Sequence, residues 1–199
     1  MLRHLLYPFL PYRSLAFPIL VLSSILVPCW LLLRLYWLRT HRQRWSLRHE
    51  ALLLIIVVYL SGLAAVTLVP SRPSRLVAES SAGIELRPRL ASLTCSPAIM
   101  PRGSAARGFC VRNARGNFLL FFPLGILLPL VSRRLLFLRG IQFAIALSLS
   151  IELLQYLSRA FGSYRTADIN DFILNVLGAG LGFALMSLLR LRPGARAAE

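Results

Sequence analysis

Long apolar runs divided by short arginine-marked segments set the rhythm of this chain. The first, residues 14 to 38 (SLAFPILVLSSILVPCWLLLRLYWL), exceeds the ~20 residues a helix needs to cross a bilayer. A secretory leader would have a shorter apolar core and a small-residue cleavage site behind it. Here THRQRWSLRHE follows, so the run is expected to be retained as a helix. Residues 51 to 69 predict a second span, stopped by Pro70 and Pro73. Residues 70 to 116, rich in Arg, Pro, Gly and Ser without clear periodicity, read as a long functional loop or a partly disordered segment. A short third helix, 117 to 132, contains Pro123, Gly125 and Pro129, predicting a kink, and is expected to recruit LLFL at 135 to 138 to finish crossing. Spans four and five cover 141 to 158 and Asp171 to about Leu189.

Composition supports this reading: 57% of the 199 residues are hydrophobic and 15% charged, with a mean hydropathy of +0.67. The expected fold class is all-α, an integral membrane bundle of about five transmembrane helices with a long Arg-rich external loop. A net charge of +16 suggests nucleic acid at first sight, but the arginines are scattered through hydrophobic runs and their borders instead of forming a soluble basic face. Anionic membrane lipid is the expected counter-charge, and no nucleic acid is expected.

Arginine counts in the short connecting segments favour an external N-terminus and a cytoplasmic C-terminus, whereas the eight arginines of the 70 to 116 loop argue the other way. With that loop outside, Cys95 and Cys110 sit in an oxidising space, where they either pair or remain two thiols. Cys29 reads as a small apolar residue. No CxxC occurs and no His lies near these cysteines, so no metal and no cofactor is expected.

Three of the seven acids, Glu152, Asp168 and Asp171, fall within twenty residues of one another. Glu152 would lie roughly 9 Å below the end of its helix, where an ionisable group faces protein or water. Gln155 follows at i+3 on the same face. Asp171, Asn175, Gly178 and Gly182 draw one stripe down the last helix, polar above and glycine below. The glycines form a GxxxG step that admits another helix closely, so the stripe is expected to face the bundle. At least one of Asp168 and Asp171 has a competing role as a helix cap. Arg165 reads either as a structural ion-pair partner or as an anion-gripping group, and Asn117 either as an N-cap or as a ligand-binding residue. Pro123 and Gly125 read as kink and packing residues.

NFLLFFPLG, IELLQ and RTADINDFILNVLGAGLG together resemble the VanZ-like family of bacterial membrane proteins. The family's helices carry N-x-x-x-F-x-P-x-G, E-x-x-Q and D-x-x-D-x-x-x-N-x-x-G. Those positions here are Asn117, Phe121, Pro123 and Gly125, then Glu152 and Gln155, then Asp168, Asp171, Asn175 and Gly178, with Arg165 in the loop between the last two motifs. IELRPRL at 84 to 90 resembles the family's external N-L-x-P-F segment, with Arg89 where an aromatic is usual. The resemblance implies a VanZ-like domain over 51 to 190, an N-terminal extension over 1 to 50 holding the first helix and a basic cytoplasmic loop, and a cytoplasmic tail over 191 to 199. It also supports the orientation favoured by the short segments and implies a location in the bacterial plasma membrane.

The family is named for a protein associated with teicoplanin resistance, which implies a phenotype more than a mechanism. The leading expectation is an outward-facing polar site that recognises or modifies a cell-envelope lipid or lipid-linked cell-wall precursor. In an enzymatic version Glu152 is the general acid or base, with Asp168 and Asp171 holding Arg165 or a hard cation such as Mg²⁺, though the sequence shows no metal site, and Gln155, Arg165, Asn117 and Asn175 binding the ligand. The alternatives are a non-catalytic binding protein, an accessory subunit whose buried polar groups fix helix packing, and a proton-coupled transporter, which would need homo-oligomerisation. His4, His41 and His49 lie outside the constellation, and GxSxG, Walker and HExxH motifs are absent.

Overall fold

A computed structural model describes residues 13–41, 46–68, 84–132, 137–161 and 167–191. Five of its helices are long and apolar enough to cross a membrane. The chain divides into two compact units, residues 1–71 and 72–199.

The first unit is a helical hairpin of α1 (Arg13–His41) and α2 (Leu47–Leu68). Large apolar side chains such as Phe17, Leu32 and Leu33 point outward from α1, as expected where lipid and not water is the solvent. Arg34 interrupts this run and is neutralised in place. Its Nε and Nη2 donate to the two carboxylate oxygens of Glu50 at 2.9 and 2.7 Å, and its guanidinium lies 4.9 Å from the Trp37 ring centre. A bidentate fork of this kind is how an arginine is tolerated among apolar helices. In α2, Ser61 and Thr67 donate to the carbonyls one turn back, which keeps both hydroxyls satisfied in a hydrophobic helix.

The second unit contains β1 (Ile84–Glu85), α3 (Leu90–Thr94), α4 (Ala105–Val131), α5 (Phe137–Leu157), a 3-10 turn (Ser158–Phe161), β2 (Ala167–Asp168) and α6 (Ile169–Leu191). The reading of 70 to 116 as loop is thus corrected at 84–85, 90–94 and 105–116 and holds at 86–89 and 95–104; residues 70 to 83 lie outside the described residues. Helix α4 starts at Ala105, twelve residues ahead of the expected Asn117, with Ser104 as its N-cap accepting the Arg107 N–H at 3.2 Å. The reason is physical: Arg107, Arg112 and Arg115 break the apolar pattern, yet arginine and alanine are strong helix formers. At 27 residues α4 is about 40 Å long and needs no help from LLFL. Phe137 and Leu138 of that stretch instead begin α5.

Helices α4 and α6 run parallel, because their contacts advance together: Asn113 with Asp171, Phe118 with Gly178, Phe122 with Gly182, and Pro129 with Arg190. A methyl group at Gly178 would run into the Phe118 carbonyl oxygen, and one at Gly125 would lie 2.8 Å from the Phe183 nitrogen and 2.9 Å from Gly182 Cα. The two backbones therefore meet directly, which suits a medium where packing replaces the hydrophobic effect between helices. Helix α5 supplies a small-residue stripe at Gly140, Ala144 and Ser148, all buried, and Phe183 of α6 fills the notch over Gly140 with its ring edge-on to Phe137. At the far end the Arg190 guanidinium donates to the Pro129 carbonyl, one of the terminal acceptors α4 would otherwise leave unmet.

Candidate functional site

The polar groups gather where α4, α5 and α6 meet β2. A two-residue parallel pairing, Ile84 with Ala167 and Glu85 with Asp168, fastens the segment before α3 to the start of α6. The Arg89 N–H then donates to Asn170 Oδ1 at 3.0 Å, and the Arg89 side chain turns away to pair with Glu85 at 2.6 Å.

Asp168 is the N-cap of α6: its Oδ1 accepts both the N–H and the side-chain N–H of Asn170 at 2.8 Å. Glu152 reaches across from α5, its Oε2 accepting the Asp168 backbone N–H at 3.0 Å. Glu152 and Gln155 are 9% and 8% exposed, so both polar heads lie in protein and not on the lipid face. The structure therefore brings Glu152 and Asp168 together through a backbone donor.

Asp171 and Asn175 take different partners. Asp171 Oδ1 accepts from Asn113 Nδ2 of α4 at 2.7 Å, and Asn175 Nδ2 donates to Ser148 Oγ of α5 at 3.0 Å. Ser148 lies one turn before Glu152, so Asn175 meets the same α5 face that carries Glu152 and Gln155. Asn117 is inside α4 and caps nothing, which corrects that alternative. One turn along from Asn113 and Asp171 respectively, Asn117 and Asn175 each keep one buried side-chain atom, Nδ2 and Oδ1, without a hydrogen-bond partner. Arg165 lies outside the described residues.

Beside this cluster opens a cleft of about 310 Å³. Its lining mixes polar groups, Asn113, Asp168, Asn170 and Asp171, with apolar ones, Met100, Ala106, Phe109 and Leu174. Cys110, on its wall, is joined by a disulfide to Cys95, whose left-handed φ of 47° ends α3. The bridge and the Arg107 Nε bond to the Cys95 carbonyl at 3.2 Å clip the segment after α3 against α4. Among the described residues no group of three or more His, Cys, Asp or Glu could hold a metal ion.

Sequence reasoning missed Asn113, Asn170 and Ser148. Asn113 carried a usable signal, since it stands four residues before Asn117 and shares its face once the helix is extended upward. Ser148 likewise precedes Glu152 by four. Asn170 gave no periodic signal at all.

Five apolar helices, with buried carboxyl and amide groups along the seam of three of them, define a multi-pass membrane protein. Residues 52–190 match the VanZ/LLP1 family model, and the chain belongs to that family. Neither a curated protein nor a solved structure matches it.

Proposed function

We propose that this protein recognises or modifies a cell-envelope lipid or lipid-linked precursor at a polar site near the outer face of the bacterial plasma membrane. On this reading it contributes to tolerance of glycopeptide antibiotics of the teicoplanin type, and the Cys95–Cys110 end of the bundle faces the exterior. The observation that carries it is the buried Glu152 carboxylate at the capped start of α6, adjoining an amphiphilic cleft. Placing a carboxylate there is costly in a membrane, and an ionisable group kept inside such a bundle is by default a functional-site candidate.

Glu152 is the proposed general acid or base in a modifying mechanism, with Asp168 holding it in register and Asp171 presenting a second carboxylate. Asn117, Gln155, Arg165 and Asn175 are the proposed ligand-binding groups. The bonds Asn113–Asp171 and Asn175–Ser148 favour a second reading, in which these residues fix helix packing in a non-catalytic binding or accessory protein.

The test is Glu152→Gln in the native host, with membrane abundance confirmed, followed by antibiotic tolerance and whole-cell lipid profiling of the variant and of a deletion strain. Lost tolerance with an accumulating precursor supports modification. Lost tolerance with an unchanged profile supports recognition. Full tolerance in the variant removes the acid/base role and favours the packing reading.

A further inference from the structure

Two buried amide atoms on the seam between α4 and α6 define what a ligand there must carry. Asn113 and Asp171 are bonded across this seam, and further along it the Phe118 carbonyl meets Gly178. Asn117 and Asn175 each stand one turn after the bonded pair, so they share one level between those two contacts. Asn113 and Asp171 line the cleft, and the amide pair extends that lining by one turn toward the apolar part of both helices.

Asn175 is only 3% exposed, and its Nδ2 is spent on Ser148 Oγ at 3.0 Å. That leaves Oδ1 as a buried acceptor with no partner, while Asn117 contributes the converse, a buried Nδ2 donor with no partner. Leaving either unmet in a low-dielectric seam is costly, and neither carries a charge. The complement of one donor and one acceptor is a neutral group that both accepts and donates. A phosphate or carboxylate would suit Asn117 and be repelled by Asn175 Oδ1; an ammonium would meet the reverse; an ester or ether oxygen would leave Asn175 unmet. A hydroxyl serves both amides through one oxygen. Small size matters here, because the Phe118 carbonyl and Gly178 close the seam just below.

Resting on the reading that the site recognises an envelope amphiphile, we propose that Asn117 and Asn175 read a neutral hydroxyl of that amphiphile. Asn117 Nδ2 donates to the hydroxyl oxygen, and the hydroxyl donates to Asn175 Oδ1. Ser148 is a positioning residue: by engaging Nδ2 it fixes which end of the Asn175 amide meets the ligand. The class this selects is a lipid alcohol or glycolipid, and not a lipid whose head offers charged groups alone.

The experiment uses the full-length protein in a detergent without hydroxyl groups, with dioctanoylglycerol, its methyl ether and dioctanoylphosphatidic acid as probes and native mass spectrometry or calorimetry as readout. The free alcohol is expected to bind about tenfold more tightly than its ether, and Asn117→Leu to bring the alcohol down to the ether's level. Asn117→Ala, which removes the amide and adds no bulk, is expected to do the same and keeps the test open if the leucine variant does not fold. Equal binding of alcohol and ether to the unaltered protein overturns the hydroxyl assignment, the occupant of the amide pair then being water, and leaves lipid recognition standing. An alcohol preference that survives both Asn117 variants places the hydroxyl elsewhere and also overturns it. Preference for phosphatidic acid, lowered by Asn117→Leu, makes both amides donors and overturns it with recognition intact. No binding of any probe overturns it too, and the recognition reading is then decided separately by the Glu152→Gln assay above.

Discussion

Glycines 178, 180 and 182 of α6 offer a direct test of how closely α4 and α6 approach, since alternate members of one short run face different surroundings. A methyl at Gly180 meets only Ile141 Cδ1 at 3.6 Å, an ordinary contact. Gly180→Ala should therefore show the helix-propensity gain, about 1 kcal/mol of added stability. At Gly178 the same methyl collides with the Phe118 carbonyl, which is backbone and cannot rotate away. Overpacking costs about 1–3 kcal/mol, and here the cost must exceed the propensity gain because two helices have to part. Both changes share the propensity gain, so Gly178→Ala and Gly180→Ala should differ by the overpacking cost, about 1–3 kcal/mol, in opposite directions from wild type. Gly182, whose added methyl would meet the Phe122 carbonyl and lie 3.0 Å from Gly125 Cα, repeats the Gly178 case independently. Equilibrium unfolding in mixed micelles, followed by helical circular dichroism, gives the comparison. Trimming Phe118 to alanine should not rescue Gly178→Ala, since the obstacle is a carbonyl. If Gly178→Ala and Gly180→Ala shift stability equally, the backbones do not meet and the shared site beside them loses its frame.

Removing one member of the Arg34–Glu50 pair should destabilise the hairpin of the first unit by about 3 kcal/mol, whereas Arg34→Leu with Glu50→Leu recovers most of it in a double-mutant cycle. Reduction of Cys95–Cys110, or Cys95→Ser, should cost about 3 kcal/mol for a loop of 15 residues, read as a lower unfolding midpoint under reducing conditions and a mobility shift on non-reducing gels. Asn117→Leu removes a buried Nδ2 that lacks a partner, so stability should hold or rise by about 1 kcal/mol while antibiotic tolerance falls; unchanged tolerance would make Asn117 a packing residue.

Helix number and approximate limits are legible in the sequence because an apolar run of span length has few alternatives. The spacing of Asp171, Asn175, Gly178 and Gly182 also locates the face of α6 that meets its neighbours. The top of α4 is hidden for a specific reason: arginines at 107, 112 and 115 lower hydropathy without lowering helix propensity, so hydropathy and helix formation part company there. With that turn lost, Asn113 could not be aligned with Asp171. The two-residue strands are too short to show a period of two, and their pairing spans some eighty positions, which no local pattern encodes. The Arg34–Glu50 bond escaped because neither residue belongs to a recognisable spacing; only a charge lodged in LLLRLYWL hints that it must find an opposite.

The pairing of Ile84 with Ala167 also bears on biosynthesis. A ribosome delivers β1, α3, α4 and α5 before the residues that complete them exist, so these segments wait in or beside the insertion machinery with their polar faces unmatched. Maturation is thus postponed until residues 167 onward have been made, and a nascent chain stopped before residue 167 should be a substrate for membrane quality control and not a partly working protein.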